Sequence, residues 1–241
     1  MSVLFRHFVV LLLCVSFFFN LEASTFQINP TRITLSRLHS VAVLKIGNES
    51  DAARVMQLKA MSWTQHAGED RYAATSDLLA TPPIFTLPPG GTQIVRVGLR
   101  RQPDKLHERA YRLFLQEVPV EGESSAEVKV TLRFGIPVFV APLEKTAHPL
   151  LEWRVGITPD KALRVEATNH GEAHVQITGF SLQDVTNHSV LAEHRGMDYL
   201  LPGQSRSWSI NASHILLPGT RLKISGQTDA GEVDAEAVLG D

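Results

Sequence analysis

Beyond its first 23 residues this chain has no cysteine. The only one, Cys14, lies within that leading segment, so residues 24–241 can form no disulfide among themselves and offer no thiol nucleophile. Charge of either sign is also in short supply. Lys and Arg number 23 against 25 Asp and Glu, the net charge is -2, and no basic stripe with interleaved aromatics occurs, which argues against nucleic acid as a partner. Enzyme signatures are missing too: there is no G-x-S-x-G elbow, no Gly-rich phosphate loop and no H-E-x-x-H. The ten histidines give one near-miss for a metal, His170 and His174 in "NHGEAH", but a Gly turn separates them and no third ligand stands at useful spacing. Neither a cofactor nor a small-molecule substrate is expected.

Long apolar runs are confined to one place. Arg6 and His7 precede a mostly apolar stretch from Phe8 to Phe19, followed by Asn20, Leu21, Glu22 and the small residues Ala23 and Ser24. That is the layout of a cleavable export signal, and the stretch is too short for a membrane span, which needs about 20 residues. Residues 1–23 are therefore expected to be a signal peptide, and the remainder an exported protein held together by its apolar cores. Roughly 220 residues suffice for one large domain or two of about 100 each.

Helical periodicity is absent over any useful length, apart from a possible single turn in "RRQPDKLHER". What is present instead is a succession of short strand patterns. From Phe26 to about Pro142 they read "FQINPTRITL", "VAVLKIGN", "RVMQLKAMSW", "RYAAT", "IFTL", "QIVRVGLR", "AYRLFLQEV" and "VKVTLRFGIPVFV", with "NESDA", "HAGED", "LPPGG" and "EGESSAE" as turns. Seven or eight strands at that spacing fit an immunoglobulin-like sandwich. After "APLEKTAHP", a junction suited to a linker, come "LEWRVGI", "ALRVEATN", "HVQITGFSLQ", "SVLAEH", "DYLLPGQSRSWSI", "RLKISGQ" and "VDAEAVL". An all-β chain of two sandwich domains, residues 24–145 and 146–241, is expected. Trp63, Trp153 and Trp208 are expected in cores or over the domain junction. The N-x-S triplets at Asn48, Asn187 and Asn211 are short enough to arise by chance and receive no role.

One stretch exceeds what a sandwich needs. In Val128–Val140 every even position is apolar, while Lys129, Thr131, Arg133, Gly135 and Pro137 occupy odd ones. A period of two marks a strand with one apolar face, yet the run is about twice the usual strand length of 5–6 residues. Pro137 suggests a split role, because proline in a sheet is confined to edges, strand starts or bulges. An exposed apolar edge strand is ordinarily an aggregation hazard, although an inner strand would show the same alternation.

Several of these segments together resemble one family. "INPTRITL", "VLKIGNES", "TPPIFTLPPGGTQIVRV", "YRLFLQEVP" and the ending "PVFVAP" are similar, in order and spacing, to the periplasmic chaperones of the chaperone/usher pathway, the PapD-like proteins, and "ATNHGEAHVQITGFSL" and "YLLPGQSRSW" match more loosely. The resemblance implies two immunoglobulin-like domains in a boomerang, a periplasmic location and no enzymatic activity. It implies pilus or fimbrial subunits with an incomplete immunoglobulin-like fold as partners, and an outer-membrane usher as recipient. It further implies donor-strand complementation, in which the last strand of the first domain fills the gap in the subunit, here through Val128, Val130, Leu132 and Phe134.

The resemblance also implies a basic pair that grips the subunit's terminal carboxylate. Arg32 in "PTRITL" stands at the first of these positions. The second, usually a lysine of the last strand, is Gly135 here, a departure that puts the pair in doubt. Arg112 is the preferred replacement and Arg133 the next; either could instead be a solvated charge. The departure and the "PVFVAP" ending look more like the divergent branch that builds simpler pili. The alternative function is a secreted β-sandwich module for adhesion or structure, which would bury the even-numbered face internally.

Overall fold

The structure, a computed structural model, describes residues 26–119, 131–144, 146–212 and 216–240. All regular elements among them are strands: β1 (Phe26–Asn29), β2 (Ile33–Leu35), β3 (Val41–Asn48), β4 (Arg54–His66), β5 (Glu69–Ala74), β6 (Leu78–Thr81), β7 (Ile84–Leu87), β8 (Thr92–Leu99), β9 (Arg109–Glu117) and β10 (Arg133–Val140). After residue 146 follow β11 (Leu151–Ile157), β12 (Leu163–Asn169), β13 (Val175–Asp184), β14 (Val190–Leu200), β15 (Ser205–Ile210), β16 (Arg221–Thr228) and β17 (Gly231–Val238). The "RRQPDKLHER" segment forms bends and no helical turn.

Strands β1–β10 make two facing sheets, ordered β1-β3-β8-β6 and β2-β10-β9-β4-β5, with β7 also on β4. The alternation that predicts strands sets the packing. Leu44, Ile46, Val95 and Val97 point inward from one sheet and Leu113, Leu115, Ile136 and Val138 from the other, all buried in one core. Strands β11–β17 form a second pair of sheets, ordered β11-β12-β15 and β14-β13-β16-β17, around a core that holds Trp153 and Trp208. The chain is thus all-β, with two sandwich units.

Two departures from the expected strands matter for function. "FQINPTRITL" is two strands, because β1 pairs antiparallel with β3 while β2 pairs parallel with β10 in the opposite sheet. Pro30, which has no N–H to donate, lies where the chain crosses over, and Arg32 sits in that crossing. In the second case β10 begins at Arg133, and Thr131 and Leu132 precede it outside any strand. Val128 and Val130 lie outside the described residues. Antiparallel pairing with β9 runs from Arg133↔Gln116 to Val140↔Arg109, but β2 covers only Val138–Val140. Among the described residues β10 is therefore an edge from Arg133 to Pro137 and an inner strand beyond, with Pro137 at the change.

The same asparagine device closes a turn in each sandwich. Asn48 donates through Nδ2 to the carbonyls of Ala52, Leu87 and Pro88 and accepts from the Ser50 N–H. Asn169 donates to Ala173 and Leu200 and accepts from Leu150 and Gly171. Both are buried, and a buried amide with its hydrogen bonds met fixes the loop it ties. Asn48 thus has a structural task that an N-x-S reading does not suggest.

Candidate functional site: the cleft beside the free edge of β10

The two sandwiches meet through a small apolar cluster of Trp63 from β4, Phe139 from β10 and Leu201, with Tyr199 from β14 against it. Gln65 fixes the joint further, donating to the Tyr199 carbonyl at 2.8 Å and accepting from the Leu201 N–H at 2.9 Å. Glu108 reaches His174 from the opposite side of the joint: its Oε1 lies 2.7 Å from Nδ1 and accepts the His174 backbone N–H at 3.0 Å. The His174 ring stacks on Phe139 at 3.3 Å between centroids. Trp63 is therefore a junction residue, and Trp153 and Trp208 are core residues, in line with the sequence.

Arg112 projects from β9 on the face opposite the core. Its guanidinium carbon is 3.9 Å from the centroid of the Trp63 ring and 5.6 Å from that of Tyr199, within cation–π range. Nη2 lies 3.8 Å from Asp70 Oδ2, and Nη1 donates to the Gly135 carbonyl at 3.4 Å. The side chain is only 12% exposed, so it is a held charge and not a freely solvated one. Gly135 makes room for it: a Cβ built there would lie 3.2 Å from Arg112 Cδ and 3.3 Å from Phe114 Cε1.

Arg32 approaches the same region from the β1–β2 crossing. Its Nη1 pairs with Oδ2 of Asp229, in the turn between β16 and β17. With 40% of its side chain exposed, it still faces solvent. Tyr199 neighbours both arginines: burial pushes its hydroxyl above the usual phenol range, Arg32 and Arg112 pull it back, and Asp229 raises it. Two guanidiniums thus converge beside one phenol at the joint, an arrangement suited to a carboxylate.

Arg133 stands apart from this group. It is exposed at the start of β10, with its guanidinium 3.9 Å over the Phe114 ring. Of the donor positions, Leu132 is half-buried and its carbonyl accepts the Glu117 N–H at 3.0 Å. Phe134 is half-buried at the end of the sandwich, edge-on to Phe26 at 5.8 Å. Tyr199 and Asp229 were not anticipated as site residues. Both come from the second sandwich and reach the cleft only through tertiary contact, and nothing in "DYLLPG" or "QTDAGE" sets them apart from ordinary strand and turn residues.

His170 and His174 do not share a ligand set. His170 pairs with Glu152 and His174 with Glu108, and no group of three or more His, Cys, Asp or Glu among the described residues could hold a metal ion. A cavity of about 380 Å³ beside the joint is lined by Trp63, Tyr111, Asp77, Glu108 and Arg109. Its charged groups are already paired: Asp77 accepts from Tyr111 at 2.9 Å, and Arg109 donates to Asp104 at 3.1 Å.

An all-β chain of two sandwiches has counterparts among known proteins. Residues 25–145 match the family described as pili and flagellar-assembly chaperone, PapD N-terminal domain, and the chain belongs to that family. It is 24% identical over 131 residues to the chaperone protein PapD of Escherichia coli, a match that covers 53% of each chain. The chain thus spans about half the length of this curated relative. The fold extends further. The structure of the CsuC–CsuE chaperone–tip adhesion subunit pre-assembly complex, from archaic chaperone-usher Csu pili of Acinetobacter baumannii, matches with a TM-score of 0.66 at 18% identity, over 90% of this chain and 100% of that one. The Escherichia coli chaperone DraB matches at 0.61 and 17% identity, over 89% and 97%. The SafB chaperone complex with SafA pilin of Salmonella enterica matches at 0.59 and 15%, over 90% and 98%.

Proposed function

We propose that this chain is a non-enzymatic periplasmic chaperone that captures incomplete pilus subunits by donor-strand complementation and delivers them to an outer-membrane usher. The observation that carries the reading is the edge of β10, which among the described residues pairs on one side only over Arg133–Pro137, with an alternating apolar segment leading into it in the sequence. A strand whose backbone donors and acceptors are unpaired on one side is a template for another chain. Family membership and the relatives named above as chaperones, two of them solved with a subunit, support it. In this reading residues 1–23 direct export, and residues 24–145 and 146–241 are the two working domains.

Burying Val128, Val130, Leu132 and Phe134 in a partner would contribute on the order of 1.5 to 3 kcal/mol each as an upper bound, against association costs of roughly 4 to 15 kcal/mol. A further anchor is therefore needed. Arg32 and Arg112, both neighbours of Tyr199, take that part for the subunit's terminal carboxylate; Arg133, held on Phe114, does not. The usual second cation of the last strand is thus supplied from the neighbouring strand, across Gly135.

Two substitutions test the reading separately. Leu132→Glu should abolish recovery of a one-to-one complex with a co-expressed pilin, and unchanged recovery would remove the donor strand from the account. Arg32→Ala should abolish capture with the strand intact, and normal capture would remove Arg32 from the site.

A further inference from the structure

Arg32 is already occupied by a carboxylate of the chain itself. Asp229 lies in the tight turn between β16 and β17, and its two oxygens have different partners. Oδ1 accepts the Gln176 backbone N–H at 2.8 Å, whereas Oδ2 faces Arg32 Nη1 and stands 3.8 Å from His174 Nε2. With 17% of its side chain exposed, this carboxylate is held in place by the second sandwich and presented to an arginine of the first. The carboxylate that faces Arg112 is more loosely placed, Asp70 at 3.8 Å.

We propose that Asp229 is an intramolecular stand-in for the subunit's terminal carboxylate: it occupies Arg32 in the free chaperone and must give up or share that guanidinium when a subunit is captured. This rests on the reading of Arg32 as the anchor. One guanidinium forms a strong bidentate pair with a single carboxylate, so two acids at Arg32 compete. The competition has two consequences. In the free chain the cleft carries no uncompensated cation at Arg32, which discourages anions that bring nothing but charge. A subunit gains entry because its strand pairing along β10 adds to what its carboxylate supplies. Asp229 thereby acts as a specificity residue. Its position also links capture to the domain joint, since Asp229 neighbours His174, which pairs with Glu108 across that joint.

The test uses a probe with a carboxylate and no strand. N-acetyl-diglycine, as the free acid and as its C-terminal amide, is titrated into the full mature chain and into Asp229→Asn, with binding followed by the NMR signal of the Arg32 side chain. Asn keeps an acceptor for the Gln176 N–H while removing the charge. The free acid should bind Asp229→Asn roughly three- to tenfold more tightly than the unmodified chain, the range expected for loss of a partly exposed competing ion pair, and the amide should bind neither. A free-acid response equal in the two forms, or weaker in Asp229→Asn, overturns the proposal while leaving Arg32 as anchor. Failure of Arg32 to respond to the free acid in either form overturns the anchor reading, and the proposal with it. Should Asp229→Asn not fold, the unmodified chain suffices: the Gln176 amide signal should move on addition of the free acid and not of the amide, and a stationary signal overturns the stand-in role.

Discussion

Gly135 and Arg112 share one volume. The arginine lies across the glycine, donating to its carbonyl at 3.4 Å, and an added Cβ would come within 3.2 Å of Arg112 Cδ. On the reading proposed above, the position at which a lysine is expected is the one over which another cation is laid. Removing Arg112 and supplying a lysine at 135 should therefore be compensating changes. Arg112→Ala is expected to weaken subunit capture by about 10- to 100-fold, the loss of charge-assisted hydrogen bonds worth about 1.5–3 kcal/mol. Arg112→Ala with Gly135→Lys should recover a large part of it, whereas Gly135→Lys alone should crowd Arg112 and weaken capture. Pull-down of a co-expressed pilin by the three variants measures this, and no rescue in the double variant would refute the exchange.

The apolar joint predicts a mechanical dependence. Phe139 is fully buried between Trp63, the His174 ring and Leu201. Phe139→Ala should cost about 3–5 kcal/mol, the usual range for emptying a packed aromatic site, and should also loosen one sandwich from the other. Chemical denaturation followed by Trp fluorescence should show a single transition become two. A single transition with unchanged midpoint would mean the joint contributes nothing.

Alkaline pH offers an independent check on the site's electrostatics. The three tyrosines, Tyr72, Tyr111 and Tyr199, are all pushed above the ordinary phenol value of 10, chiefly by burial. Tyr111, whose hydroxyl also donates to Asp77, is raised to about 12. A raised folded-state value favours the neutral phenol in the fold, so this stabilisation is intact below pH 10 and is lost as pH rises, through about 12 for Tyr111. Ultraviolet titration of the folded chain should show no tyrosinate step centred at 10. Arg32→Ala and Arg112→Ala should each push Tyr199 higher still, since both cations draw it down. A downward movement would place the arginines away from that hydroxyl.

Much of this was legible in the sequence because strand periodicity and turn residues act locally. The even-numbered apolar face of β10, the turns at "LPPGG" and "LPGQ", and the division into two sandwiches all follow from nearest-neighbour chemistry. "FQINPTRITL" reads as one strand, yet Pro30 and a change of phase mark the break: the apolar residues stand at even positions before it, Phe26 and Ile28, and at odd ones after it, Ile33 and Leu35, in strands of different sheets. Arg112 could be named as a candidate because β9 neighbours β10 in the expected sheet. Its stacking on Trp63 is a contact between the adjacent strands β9 and β4, whereas its approach to Tyr199 and the pairing of Arg32 with Asp229 depend on how the second sandwich docks, and no local pattern encodes that. Val128 and Val130, which carry half of the donor-strand expectation, lie outside the described residues.

The central claim is that the free edge of β10 is completed by a subunit. Amide hydrogen exchange over Leu132–Ile136, in the free chain and in a purified one-to-one complex with a pilin, tests it most directly. The account predicts that amides on the side away from β9 exchange freely in the chaperone alone and become strongly protected in the complex, while those of the inner segment Val138–Val140 are protected in both. Unchanged exchange over Leu132–Ile136 in a complex that otherwise forms would contradict it.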